Sequence, residues 1–193
     1  MADVLDLWSG SQGVNGMRGG TAGLTSLQPD HIRSHAEDVG GAFGIRSAAY
    51  PEYAALALAA RIAGRPVKWV DSRSESFLRD YHGRAVQMAA KLALDAEGRF
   101  LAIRHDWVCD IGAHPSTAGV KTNTLNAALM ASGAYRIPAA YGRNRLALTN
   151  TVPITAYRGA GRPDMAYMVE RLVNEAARRT GAAGVCVKDA YRF

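Results

Sequence analysis

Two stretches of alternating hydrophobicity constrain this chain more than anything else in it. Val86, Met88, Ala90, Leu92 and Leu94 fall on every second position. Leu101, Ile103, His105, Trp107, Cys109 and Ile111 do the same. A period of two puts one side chain in two on the same face of an extended backbone, so each run reads as a half-buried strand. Between them lies Asp95-Ala96-Glu97-Gly98-Arg99, a short polar connection whose glycine suits a left-handed turn position. The segment therefore predicts a long antiparallel pair with one apolar face to be covered. His105 falls on that face and reads as a hydrogen-bonded core histidine rather than a metal ligand.

The cover is legible further on. Met165, Met168, Val169, Leu172, Val173, Ala176 and Ala177 line one side of a helix that starts at Pro163 and is capped by Gly181. A methionine stripe of this kind is core material. A second helix opens at Tyr50-Pro51-Glu52 and closes at Gly64, with proline in its first turn and an acid at its positive end. Thr122 to Ala131 reads as a third. Asp71 to Ser76 reads as a polar turn or a short capped helix. Strands are expected at Val4 to Trp8, His31 to Arg33, Pro66 to Val70 and Asn144 to Thr151. Residues 14–25 are glycine-rich and read as weakly helical at best. The sum is an α+β fold, a mixed or antiparallel sheet with packed helices, part of a larger binding domain.

The chemistry available is that of exposed backbone. Asp38-Val39-Gly40-Gly41-Ala42-Phe43-Gly44-Ile45-Arg46 can present successive N–H groups to an anion. Ala156-Tyr157-Arg158-Gly159-Ala160-Gly161-Arg162-Pro163 has the same character and runs into the last helix. Gln12 follows the first strand, where a side chain can reach a ligand outside the strand's carboxyl end. No Walker loop, GxGxxG fingerprint, Gly-x-Ser-x-Gly elbow or His-Glu-x-x-His is present. Nothing singles out a carboxylate pair for acid–base work. This describes a site that holds a large anionic cofactor, which then performs the chemistry.

The net charge of +6 suits a phosphate-bearing partner. The basic residues are dispersed and aromatics are only 8% of the chain, which argues against a nucleic-acid groove. Cys109 and Cys186 are far apart and form no CxxC pair, so neither a disulfide framework nor a zinc site is expected. The N-terminal residues lack the basic and apolar regions of a secretory signal, and no apolar run is long enough to span a bilayer. A cytoplasmic location is the expectation.

Four stretches, in this order, resemble the molybdenum hydroxylase family, which includes xanthine dehydrogenase, aldehyde oxidase and the large subunit of aerobic carbon monoxide dehydrogenase. They are Trp8-Ser9-Gly10-Ser11-Gln12-Gly13, Asp38 to Gly44, Arg65-Pro66-Val67-Lys68-Trp69 with Arg73-Ser74-Glu75, and Ala156 to Pro163. The resemblance implies a partial molybdopterin-binding domain over residues 1–180, followed by a divergent tail at 181–193. It implies a molybdopterin cofactor, in the cytosine dinucleotide form, carrying molybdenum. Gln12 matches the family glutamine beside the metal's oxo ligand and is the catalytic candidate of this chain. Gly41, Ala42, Phe43 and Gly44 match the segment whose amides face the metal and the pterin. Arg158 and Gly159 match the loop across the site. Gln12, Phe43 and Arg158 would thus surround the molybdenum without ligating it strongly. The implied reaction oxidises a small molecule, an aldehyde or N-heterocycle, with oxygen from water. Electrons would leave through iron–sulfur clusters and FAD in partner subunits, and the remainder of the molybdenum subunit would complete the site.

Three departures accompany the resemblance. Gly159 stands where the carbon monoxide enzymes carry a copper-binding cysteine, so copper-dependent chemistry is not expected. Ala42 replaces a glycine of the common GGGFGGK pattern, which is tolerable at negative φ. The family's general-base glutamate is absent from these residues, so this chain alone is expected to be inactive. The alternative is a non-catalytic basic module that binds a phosphate-bearing ligand or a partner subunit.

Overall fold

The computed structural model describes residues 4–181, which divide into two compact units, the first ending at Asp80 and the second beginning at Tyr81. The expected tail beyond Gly181, and with it Cys186, lies outside the described residues. The architecture is the expected α+β: two small sheets with packed helices.

In the first unit, β1 (Leu5–Trp8) pairs in parallel with β2 (Ile32–His35). Parallel neighbours need a crossover, and α1 (Val14–Thr25) supplies it. The expectation of weak helicity there was wrong. Gly20 explains why glycine is present in a real helix: a Cβ at Gly20 would lie 2.8 Å from the Cβ of Ala49. Close packing there outweighs the low helix propensity of glycine. Helix α2 (Pro51–Ala63) begins and ends where its proline and glycine put it, with Gly64 left-handed at φ 59°. Helix α3 (Arg73–Arg79) is capped by a reciprocal Ser72–Glu75 box.

Residues 66–70 form no strand. The ring centre of Trp69 instead lies 5.0 Å from the guanidinium of Arg79, which is also 5.1 Å from the ring centre of Tyr50. Trp69 serves this stack, not a ladder. Arg79 also pairs with Asp71 at 2.9 Å and Asp80 at 3.1 Å, so its charge is neutralised where it is most enclosed.

The second unit is built on the expected hairpin. Strands β3 (Val86–Leu94) and β4 (Phe100–Asp110) pair antiparallel in one register from Val86↔Cys109 to Ala93↔Ala102. Gly98 takes φ 83° in the connection. A third strand, β5 (Ala139–Ala147), pairs in parallel with β4. It starts five positions before the expected strand and ends before Thr151. Its first half hid itself because it is small and exposed: Gly142 packs against the Trp107 ring, 3.1 Å from where a Cβ would be.

Helix α5 (Arg162–Thr180) covers the inner face with the residues its periodicity named. Ile103, Val169, Val173 and Ala176 form one buried cluster, and Trp107, Cys109, Ala127, Met165 and Met168 another. Burial of such side chains stabilises by about 1.5–3 kcal/mol each for the larger ones. The helix expected from Thr122 begins earlier, as α4 (Thr117–Lys121), and widens into a π-turn over Thr122–Asn126. His105 is fully buried, with its ring edge-on to Trp107. Neither ring nitrogen makes a hydrogen bond of regular geometry among the described residues. Burial lowers its pKa, with the Ala131 carbonyl pulling the other way. No group of three potential metal ligands occurs among the described residues.

Candidate functional site

Strand β1 ends at Trp8, and the chain then turns through Ser9-Gly10-Ser11. Ser11 Oγ accepts the Gly13 amide at 3.0 Å and fixes that turn. Gln12 is held twice. Its amide donates to the Arg46 carbonyl at 3.1 Å, and its side-chain carbonyl accepts the Gly44 amide at 2.8 Å. The strand end and the glycine loop are therefore tied together within the first unit.

The loop has an unusual backbone. Gly40, Gly41, Phe43 and Gly44 all have positive φ, at 71°, 109°, 50° and 114°. Ala42 is not among the positive-φ residues, as its methyl requires. A Cβ at Gly41 would also sit 3.1 Å from the Phe43 ring, which would have to give way. A non-glycine residue in the left-handed region, as Phe43 is, is uncommon and clusters at functional sites. The phenyl ring is 59% exposed, so it is not held there by burial. Below the loop, the hydroxyl of buried Tyr50 donates to the Ile45 carbonyl at 3.0 Å. The Arg79 stack then fixes Tyr50. Sequence reasoning did not find Arg79, because its partners Tyr50, Trp69, Asp71 and Asp80 are assembled only by the fold.

The second loop belongs to the second unit. Gly159, Ala160 and Gly161 have consecutive positive φ, at 103°, 51° and 82°. A Cβ at Gly159 would fall 2.7 Å from Pro163 Cδ. A Cβ at Gly161 would fall 2.9 Å from the Thr122 carbonyl carbon. The π-turn is thus packed directly on the loop, and Asn126 Nδ2 donates to the Ala160 carbonyl at 3.1 Å. Upstream, Ser116 Oγ donates to the Ile154 carbonyl at 2.6 Å. Gly119 allows that approach, since its Cβ would lie 2.9 Å from the Ile154 carbonyl carbon.

Arg158 is exposed at the head of this loop. Its carbonyl accepts from the Arg84 guanidinium, which also lies 4.8 Å from the Tyr157 ring centre. Asp164, in the first turn of α5, is held above the usual carboxylate range by burial, with Arg84 pulling it down. Burial pushes the Cys109 thiol up to about 11, so it is an inert core group. Arg84 and Gly83 were not found by sequence reasoning, and no sequence signal marks them.

Each loop, taken by itself, has the chemistry of an anion-binding backbone. Bare N–H groups in a non-repetitive backbone, joined in the first unit by a neutral amide side chain and in the second by an arginine, can hold oxygen atoms without supplying a nucleophile.

A family model described as the molybdopterin cofactor-binding domain matches residues 1–190. The chain is 32% identical over 179 residues to the 6-hydroxypseudooxynicotine dehydrogenase complex subunit gamma of Paenarthrobacter nicotinovorans, covering 93% of this chain and 22% of that one. It is 33% identical over 163 residues to the carbon monoxide dehydrogenase large chain of Hydrogenophaga pseudoflava, covering 81% and 20%. The crystal structure of quinoline 2-oxidoreductase from Pseudomonas putida 86 superposes with a TM-score of 0.89 at 30% identity, covering 98% of this chain and 25% of that one. The chain spans about a fifth of the length of these curated relatives.

Proposed function

From the premise that this chain belongs to the molybdopterin cofactor-binding domain family, we propose that Gln12, the Gly41-Ala42-Phe43-Gly44 backbone, Arg158 and Gly159 hold a molybdenum-bearing pterin in a hydroxylase. The observation that carries this reading is the bond from the Gly44 amide to Gln12 Oε1 at 2.8 Å. It joins the glutamine to a loop with positive φ at Gly40, Gly41, Phe43 and Gly44, a backbone of the kind that can present N–H groups to an anion.

The residues fit such a group. Gly40 has open space where a Cβ would be, and Gly41 and Gly159 have backbones that a side chain would strain. Their N–H groups suit the oxygens of a pterin phosphate or an oxo group, and so does the neutral Gln12 carboxamide, which offers two donors at Nε2 once Oε1 is taken by Gly44. Arg158 adds a fixed positive charge. When bound, the cofactor would supply oxidation of an aldehyde or N-heterocycle with oxygen from water. Gln12 would then orient, and the loop amides would stabilise negative charge as it develops. The relatives named as subunits of dehydrogenase complexes support partner subunits. On this reading those partners carry iron–sulfur clusters and FAD, the cofactor is the cytosine dinucleotide, and the complex is cytoplasmic. Among the described residues no helix is long and apolar enough to cross a membrane.

The test is co-expression with iron–sulfur and flavin subunits, followed by molybdenum and pterin analysis of the purified chain. Retained pterin that is lost on Gln12→Ala together with Gly41→Val supports the assignment. A chain that never retains pterin, or retains it equally with both changes, refutes it.

A further inference from the structure

We propose that Arg84 is the positioning residue of the second loop: it sets the backbone at Arg158 and fixes a positive charge beside it. The ligand side of this inference rests on the cofactor reading above; the positioning role does not.

Four observations converge. First, Arg84 itself has φ 66°, a left-handed conformation that a non-glycine residue adopts at a cost. Second, the residue before it must be glycine. A Cβ at Gly83 would lie 2.8 Å from the Cβ of Tyr157. Residues 82–84 therefore run directly against 153–158. The backbone bonds agree: the His82 amide donates to the Pro153 carbonyl at 3.1 Å, and the Thr155 amide to the His82 carbonyl at 2.8 Å. Third, the guanidinium grips both sides of the loop's turn. It lies 4.8 Å from the Tyr157 ring centre and donates to the Arg158 carbonyl. Its Nη2 is also 3.9 Å from where a Gly159 Cβ would be. Fourth, its charge reaches the helix that the loop enters, acting on Asp164.

A planar fork explains why arginine is needed. It can stack on a ring and donate in its own plane at once, whereas an ammonium keeps the charge but not this geometry. The strained backbone at Arg84 and the three positive-φ residues at 159–161 then face each other across one side chain. Removing that side chain leaves the loop without its outer support, while the core of α5 keeps all its contacts.

The experiment uses the full 193-residue chain with Arg84→Gln and Arg84→Lys. Amide exchange is read at Ala160 and Arg162, whose N–H groups donate to the Tyr157 and Gly159 carbonyls. The Asp164 carboxyl is titrated by carbon NMR; the ionisable groups acting on or through it are Arg84 and the Cys109 thiol. In Arg84→Gln, exchange at both amides should rise about tenfold, as for the loss of one charge-assisted bond. The Asp164 midpoint should also rise. In Arg84→Lys, exchange should rise as well, but the Asp164 midpoint should stay near that of the parent. Val169 and Val173 amides in the helix core should be unaffected in both. Parent-like exchange at Ala160 and Arg162 in both variants overturns the proposal, as does an increase spread evenly through α5. Failure of the parent chain to retain pterin, with the exchange result intact, overturns only the cofactor reading.

Discussion

The side-chain carbonyl of Gln12 accepts the amide proton of Gly44 at 2.8 Å, across 32 positions of sequence. The bond is between two exposed groups, so it does not answer a burial penalty. It fixes the distance between a strand end and a strained loop. Gln12→Ala should therefore leave the fold intact and loosen the loop. A neutral hydrogen bond contributes about 0.5–1.5 kcal/mol, so Gly44 amide exchange should quicken by roughly three- to tenfold. Exchange at Ile45, whose amide donates to Ala42 at 3.2 Å, should follow. On the proposed cofactor reading, the same change in a complete homologous enzyme should cost rate by orders of magnitude, since a preorganised polar group would be lost from beside the reacting centre. Unchanged loop exchange would make Gln12 a surface residue.

Gly159→Cys probes the departure from the carbon monoxide enzymes. At φ 103° an L-residue is strained, and its Cβ would meet Pro163 Cδ at 2.7 Å. The combined cost is about 1–3 kcal/mol or more, read as a fall of several degrees in Tm. The thiol should not confer copper retention, because the backbone that carries it must first move. A variant as stable as the parent would show that the loop accommodates a side chain freely.

How far the sequence could be read depended on where a residue's reasons lay. The hairpin and α5 were legible because burial on one face imposes a period, and the period is written in the residues themselves. Helix α1 was not, because Gly20 answers to Ala49, a residue far along the chain. The 66–70 segment misled for a related reason: Trp69 alternates like a strand residue but stacks on Arg79. The start of β5 was silent because its exposed face is unselective and its inner face must make room for Trp107. At the site, Gln12 and both loops were visible as residue types. Arg84 was not, since neither its φ nor its approach to Tyr157 leaves any mark in composition or spacing.

The acid limb of stability should have two parts. His105 is buried and its pKa lies below the ordinary 6.5. Between those values the unfolded chain binds more protons than the folded one, so stability is lost as pH falls through that window. Asp71 is lowered from 3.8 to about 2 by Ser76 and Arg79. Its contribution is fully present above 3.8 and is lost as pH falls towards 2. Tm measured against pH should fall in both windows. His105→Phe should flatten the first, and Asp71→Asn the second. Glu175 is also lowered to about 2, but its partners Arg178 and Arg179 are exposed and screened. Glu175→Gln should change the curve little.

Gly161→Ala tests whether the π-turn and the second loop form one piece. Gly161 caps α5 at φ 82° with no side-chain cap bond. The hydrogen it carries faces the Thr122 carbonyl, whose carbon would be 2.9 Å from a Cβ. Thr122 cannot yield independently, because its own Oγ1 donates to the Gly119 carbonyl at 2.8 Å. Gly119 in turn is pressed against Ile154. The added methyl therefore has to displace the turn, the loop or both, while also taking up a left-handed φ. A loss of about 2–4 kcal/mol follows from the strain and the overpacking together. Gly181→Ala is the control. It caps the other end of the same helix at φ 69°, with nothing within 4 Å of a Cβ. It carries only the conformational cost, about 1 kcal/mol. If the two variants lose the same stability in urea unfolding, the methyl at 161 meets no resistance, and the π-turn is a neighbour of the loop and not its support.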